Sequence, residues 1–183
     1  MDRQILEFIS EHMHSDWLDV IMKIFTVIGE FGIFGISVGI ICLFFKSHRK
    51  TAFLMLVVMA IGFLIGNIML KNIIARPRPC HSYPSLLHYI DMPSSYSFPS
   101  GHTLHSFIPA FMFLFNKKFR TGIILTIMAV FIAFSRMYFG VHYPTDILAG
   151  IVLAALLVFA CMLIVKKSKK LNESLNKLLK IEE

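Results

Sequence analysis

Residues 51–70 read TAFLMLVVMAIGFLIGNIML, twenty residues without a charge. As a helix rising about 1.5 Å per residue they reach about 30 Å, the thickness of a bilayer's hydrocarbon core. Working outward, residues 145–165 (TDILAGIVLAALLVFACMLIV) repeat the pattern with one acid, Asp146, at the start. Residues 121–139 form a third apolar run, interrupted late by Arg136. Residues 31–45 (FGIFGISVGIICLFF) are short and become long enough if the helix begins inside 18–30. Residues 103–115 (TLHSFIPAFMFLF) are also short, so that helix gains length from its flanks or sits partly inside the bundle. The pattern predicts an all-α, polytopic membrane bundle of about five transmembrane helices, six being possible.

Composition agrees. Of the 183 residues 56% are hydrophobic and 16% charged, with a mean hydropathy of +0.71. This lies above the range of soluble domains and excludes disorder. The length fits a single domain, 1–183. Three cysteines, Cys42, Cys80 and Cys161, exclude a disulfide scaffold. Cys42 and Cys161 lie in apolar runs and read as small hydrophobes, Cys80 as an incidental free thiol. The N-terminus lacks a cleavable signal pattern, because Asp2 and Arg3 follow Met1 directly. Ile5, Leu6, Ile9, Met13 and Trp17 recur at helical spacing among Asp2, Glu7 and Glu11, predicting an interfacial amphipathic helix over 1–17. His12 and His14 read as surface residues.

The net charge of +7 could suggest nucleic acid, but its placement argues for topology. Lys46, Arg49 and Lys50 sit in one connection; Lys117, Lys118 and Arg120 sit in another; six lysines crowd the tail 166–183. Five spans place these segments on one side, the cytoplasm by the positive-inside rule, with no nucleic-acid partner implied. The connections 71–102 and 139–144 then face outward from the cell membrane.

That outward side holds the unusual chemistry. Lys71 stands at the end of a span, and Arg76 and Arg78 follow in RPRP. Arg136 lies about fifteen residues, or about 22 Å, into its span. A guanidinium there costs at least about 2.5 kcal/mol without a partner or water, so it is either functional or ion-paired, for instance with Asp146. The connection 71–101 holds five of the seven prolines and ends in Phe98-Pro99-Ser100-Gly101-His102, where a helix begins. Free backbone N–H groups at such a start bind anions. His142 precedes Asp146 by one helical turn, and an Asp so placed can accept the Nδ1–H and leave Nε2 as a free lone pair.

Three motifs emerge: K-x6-R-P from Lys71 to Arg78-Pro79, P-S-G-H from Pro99 to His102, and S-R-x5-H-x3-D from Ser135-Arg136 through His142 to Asp146. In this the chain resembles the type-2 phosphatidic acid phosphatase superfamily, which includes lipid phosphate phosphatases, undecaprenyl pyrophosphate phosphatases, glucose-6-phosphatase and vanadium haloperoxidases. The resemblance implies a hydrolase of lipid phosphates that needs no metal or other cofactor. Lys71, Arg78 and Arg136 would hold the phosphoryl oxygens, joined by the hydroxyl and N–H of Ser100 and the N–H of Gly101. His142 would attack phosphorus, Asp146 would fix its tautomer, and His102 would protonate the leaving oxygen and then activate water. Three fixed cations suit the charge of an in-line phosphoryl-transfer transition state.

Alternatives stay open. A zinc site from His81, His88, His102 and His105 is the rival, although the spacing matches no familiar zinc pattern. His105 either lines the pocket or packs behind it. Arg76 either reaches a second phosphate or headgroup or anchors the interface. Tyr83, Leu86, Leu87, Tyr89, Ile90, Met92, Tyr96 and Phe98 either anchor the outer connection or wall a lipid site. Undecaprenyl pyrophosphate is the favoured substrate, with phosphatidylglycerol phosphate or phosphatidic acid behind it. Gly101 departs from bacitracin-resistance-type members that carry Asp there. A small transporter or channel subunit is the non-enzyme reading; it would need neither His142 nor His102.

Overall fold

The computed structural model describes residues 1–180, and the regular structure among them is helical throughout. The helices are α1 (Asp2–His12), α2 (Asp16–Ile28), α3 (Ile33–Leu43), α4 (Lys46–Gly62, continued by a π-helical stretch Phe63–Leu70), α5 (Lys71–Ile74), α6 (Pro79–Ser82), α7 (Gly101–Phe115), α8 (Phe119–Tyr138), α9 (Pro144–Lys167) and α10 (Lys169–Leu178). Helical runs within Arg49–Ser82, Phe119–Tyr138 and Pro144–Lys167 are long and apolar enough to cross a membrane. Asp16–Ile28 and Glu30–Leu43 together supply a fourth, bent by 49°. Gly29 and Gly32 flank that bend, and Gly32 has φ +73°, a left-handed turn that a Cβ would resist.

The short run 103–115 is resolved by enclosure. α7 is too short to span alone, and most of its side chains are buried. Leu104, Phe107, Ile108, Met112 and Phe113 pack against Met55, Val58 and Met59 of α4, Ala129 and Ala133 of α8, and Ala154 and Val158 of α9. The alanines let the surrounding helices approach closely enough to wrap it. Outward, α9 exposes Leu148, Val152, Leu156 and Phe159, and α8 exposes Ile123, Ile124, Ile127 and Val130. Apolar stripes of this extent belong against lipid.

α1 ends at His12, five residues before the predicted limit, because Met13–Ser15 break the helix and Ser15 is extended as the N-cap of α2. Trp17 therefore belongs to α2 and is exposed. The buried face of α1 closes the site end of the bundle: Leu6 joins Leu86 and Tyr143, and Ile9 joins Met22, Tyr138 and Phe139. At the opposite end the basic tail folds back as α10. Lys50 donates to Asn172 and Asn176 at 2.5 and 2.6 Å, Arg49 donates to the Leu179 carbonyl at 3.1 Å, and Leu175 is buried. Residues 181–183 lie outside the described residues.

Candidate active site

Two tight corners build the site. At the first, Ser100 caps α7 by accepting from the Thr103 N–H (3.4 Å) and hydroxyl (2.9 Å). At the second, five residues separate the end of α8 from the start of α9. Val141 and His142 both donate their N–H to the Arg136 carbonyl, at 3.1 and 3.2 Å, so the guanidinium and the imidazole share one backbone anchor. The Asp146 carboxylate reaches back to the Tyr143 N–H at 2.8 Å and closes the start of α9. The Ser100 N–H then donates to the Asp146 carbonyl at 3.1 Å, joining the two corners.

Between them lies a cavity of about 900 Å³ whose wall includes Lys71, Arg78, Gly101, His102, Arg136 and His142. Residues as far apart as 71 and 142 thus meet in one space. Arg78 is the most constrained: its Nε donates to the Ser95 carbonyl (2.6 Å) and one terminal nitrogen to the Ser95 hydroxyl (2.9 Å). The other terminal nitrogen donates to the Val141 carbonyl (3.0 Å) and to His142 Nε2 (3.1 Å). A guanidinium only donates, so His142 Nε2 bears the lone pair and Nδ1 the proton. Nδ1 lies 3.5 Å from Asp146 Oδ2 and makes no hydrogen bond to protein. Burial, with Arg78, Arg136 and Lys71 nearby, holds the His142 ring well below the usual imidazole pKa, so it stays neutral.

One sequence expectation changes and one open alternative closes. The Ser100 N–H is spent on the Asp146 carbonyl, its hydroxyl oxygen accepts both capping bonds, and the fully buried residue is not part of the cavity wall. Arg136 does not pair with Asp146; it donates to the Thr26 hydroxyl of α2, while its Nε has no protein partner. Asp146, fully buried, instead receives Arg76 on Oδ1 (2.6 Å) and the Ser97 hydroxyl on Oδ2.

Several residues were invisible to motif reading. Thr26, Lys23 and Glu30 reach the cavity from α2 and the bend after it. Asn67 lines it four residues before Lys71, hence on the same helix face, and touches Gly101 so closely that a Cβ there would stand 2.8 Å from its Nδ2. That i, i+4 spacing was the available signal. His105 lines the cavity, buried, with neither ring nitrogen bonded to protein. His14 is not a surface residue: it bonds Asp19 at 2.8 Å and its ring lies 4.1 Å from that of His88. Among the described residues no three His, Cys, Asp or Glu side chains converge on a point where a metal could sit.

A family model described as "PAP2 superfamily" matches residues 50–170. The chain belongs to the PAP2 superfamily. It is 34% identical over 155 residues to phosphatidylglycerophosphatase B of Bacillus subtilis, covering 78% of this chain and 73% of that one. It is 32% identical over 124 residues to the undecaprenyl-diphosphatase of Sulfolobus acidocaldarius, covering 68% of this chain and 60% of that one. Its fold matches the crystal structure of a transmembrane PAP2-type phosphatidylglycerolphosphate phosphatase from Bacillus subtilis with a TM-score of 0.73 and 28% identity, over 92% of this chain and 86% of that one. The PAP2 membrane lipid phosphatases are thus the frame for this cavity, whose cations, helix start and imidazoles suit a phosphoryl group.

Proposed function

We propose that this PAP2 protein hydrolyses a lipid pyrophosphate at the outer face of the cell membrane through a phosphohistidine intermediate. The observation that carries the reading is the single cavity holding Lys71, Arg78, Arg136, His102 and His142, with the His142 Nε2 lone pair presented to Arg78. A phosphoryl group drawn in by the three cations takes over the Arg78 donor and uncovers Nε2. The lone pair attacks phosphorus, the bond to the leaving oxygen breaks, and that oxygen keeps the electron pair and takes a proton from His102. The imidazole becomes positive, balanced by Asp146. His102, now a base, takes a proton from water, whose oxygen displaces His142 and releases phosphate.

Sidedness follows from charge. α7 and α9 both start at the site and run away from it, and Lys117, Lys118, Lys166 and Lys167 cluster at their far ends. The basic end fits the cytoplasm, which turns the site outward. Val27, Phe31 and Phe63 line the cavity yet are exposed, giving it an apolar flank for a lipid tail. His105 lies one turn beyond His102 along α7 and with Asn67 adds unpartnered polar groups to the cavity wall. A leaving group with its own oxygens next to the scissile bond suits that wall, which favours undecaprenyl pyrophosphate over phosphatidic acid. Phosphatidylglycerol phosphate is the second reading, supported by the Bacillus subtilis relatives named above.

The test is a panel of isoprenyl pyrophosphate, phosphatidylglycerol phosphate, phosphatidic acid and a soluble phosphate ester, assayed for phosphate release in EDTA. Preference for the pyrophosphate, inhibition by vanadate and loss of turnover in His142→Ala support the proposal. Full activity in His142→Ala, or dependence on added metal, overturns the mechanism.

A further inference from the structure

Arg76 precedes Arg78 by two residues, with Pro77 and Pro79 after each. A residue before proline is pushed out of the helical region, and Arg78 has φ −74° and ψ 155°. The two guanidinia reach the same His142–Asp146 pair from opposite ends. Arg78 takes the nucleophilic nitrogen, and Arg76 takes the carboxylate behind the ring.

The grip of Arg76 is elaborate. One terminal nitrogen donates to Asp146 Oδ1 at 2.6 Å and to the Thr145 hydroxyl at 2.7 Å. The other donates to Asp2 Oδ2 of α1 at 3.0 Å, and the guanidinium lies 4.0 Å above the Tyr143 ring. The Thr145 hydroxyl also donates to Asp2. On the other carboxylate oxygen of Asp146 sit the Tyr143 N–H and the Ser97 hydroxyl. Both oxygens are therefore held, and the carboxylate has one orientation, with Oδ2 toward His142 Nδ1. Neither Arg76 nor Asp2 belongs to the cavity wall.

We propose that Arg76 is a positioning residue for phosphoryl transfer, acting through Asp146, and that Asp2 of the N-terminal helix is its counter-charge. Asp2, Arg76 and Asp146 form an alternating row with a net charge of −1. That charge balances the +1 that His142 acquires in the phosphohistidine. Without Asp2 the Arg76–Asp146 pair is neutral, and the cationic intermediate loses its balance. Without Arg76, Oδ1 of a fully buried carboxylate loses its charged partner, and only the Tyr143 N–H and the Ser97 hydroxyl on Oδ2 still orient the group. In either case the loss falls on turnover, because no contact with the substrate is removed.

This inference rests on the phosphohistidine reading, and the experiment separates the two. The full chain, tagged at the C-terminus and held in lipid nanodiscs, is assayed with isoprenyl pyrophosphate for kcat and KM, and by rapid quench for acid-labile phosphoenzyme. Arg76→Ala is expected to lower kcat about 100-fold, as for a misplacement of about 1 Å at the reacting group, with KM within about threefold. Arg76→Lys, which can hold Asp146 but cannot fork to Asp2, recovers about tenfold of that loss. Asp2→Asn lowers kcat and the phosphoenzyme formation rate about fivefold at unchanged KM, the size of a partly exposed charge interaction. Should Arg76→Ala fail to fold, Arg76→Lys and Asp2→Asn carry the test. Variants with wild-type kcat, or with the loss in KM alone, overturn this proposal while leaving the mechanism intact. A wild-type protein that forms no phosphoenzyme overturns the underlying reading instead.

Discussion

Gly29→Ala tests whether His102, the proposed general acid, is held by packing alone. Gly29 lies at the bend between α2 and α3 with φ −78° and ψ −11°, a conformation that alanine adopts freely. Its effect is therefore purely steric. A Cβ there would stand 2.6 Å from Ile132 Cγ2 and 2.9 Å from His102 Cδ2. Carbon atoms rest at about 3.5–4.0 Å, so the His102 ring must move by about 0.6–1.1 Å or the bend must open. Ile132 is fully buried and has little room to yield. An opened bend would carry Thr26 away from Arg136 and harm the site by a second route. Overpacking costs about 1–3 kcal/mol of stability, while a shift of about 1 Å at a reacting group costs about 100-fold in rate, or about 2.7 kcal/mol of barrier. The assay compares two leaving groups on the folded variant. For a lipid phosphate with an alkoxide leaving group, kcat should fall about 100-fold. For p-nitrophenyl phosphate, whose leaving oxygen scarcely needs a proton, it should fall less than about tenfold. A folded Gly29→Ala protein within threefold of wild type on the first substrate, or equally slowed on both, would refute the reasoning.

Other outcomes follow from the same geometry. Gly140 has φ +66°, and a Cβ would lie 2.0 Å from the Leu86 carbonyl oxygen, so Gly140→Ala should cost more than about 3 kcal/mol and show as a large drop in melting temperature. Because burial and the neighbouring cations depress the His142 pKa, this proposed nucleophile stays neutral as pH falls below the ordinary imidazole value of about 6.5. The acid limb of kcat/KM assigned to His142 should therefore lie below about 6.5, and the stability this neutral ring contributes is present above that pH and lost as pH falls toward the folded-state value. A His142-dependent limb above 6.5 would contradict the burial argument. Finally, His105→Ala with Asn67→Ala should slow an isoprenyl pyrophosphate about thirtyfold more than the monophosphate with the same tail, since each lost polar contact is worth about 1 kcal/mol; equal losses would show that these residues do not meet the second phosphate.

Legibility in the sequence tracked the range of the force involved. The runs 51–70, 121–139 and 145–165 declare themselves because a bilayer asks only for length and apolarity, and the short run 103–115 announced that it needed either flanks or enclosure; the fold chose enclosure. The six cavity residues of the motifs were nameable because phosphate chemistry restricts residue type. What stayed hidden depends on which face a local segment turns. Ser100 reads as a donor at a helix start, yet the approach of α9 turns its N–H onto the Asp146 carbonyl. Arg136 had two candidate roles, and the partner that pins it, Thr26, stands 110 positions away on a helix with no motif. His14 looked like a surface residue until Asp19 and His88 closed on it. Arg76 was the least legible of all. Its partners Asp2 and Asp146 lie 74 and 70 positions away and could not be read from spacing. Its side could not be read either: Arg78 has φ −74° and ψ 155°, the polyproline II region with three residues per turn, so arginines two apart in RPRP do not share a face, and Arg76 stands off the cavity wall that Arg78 lines.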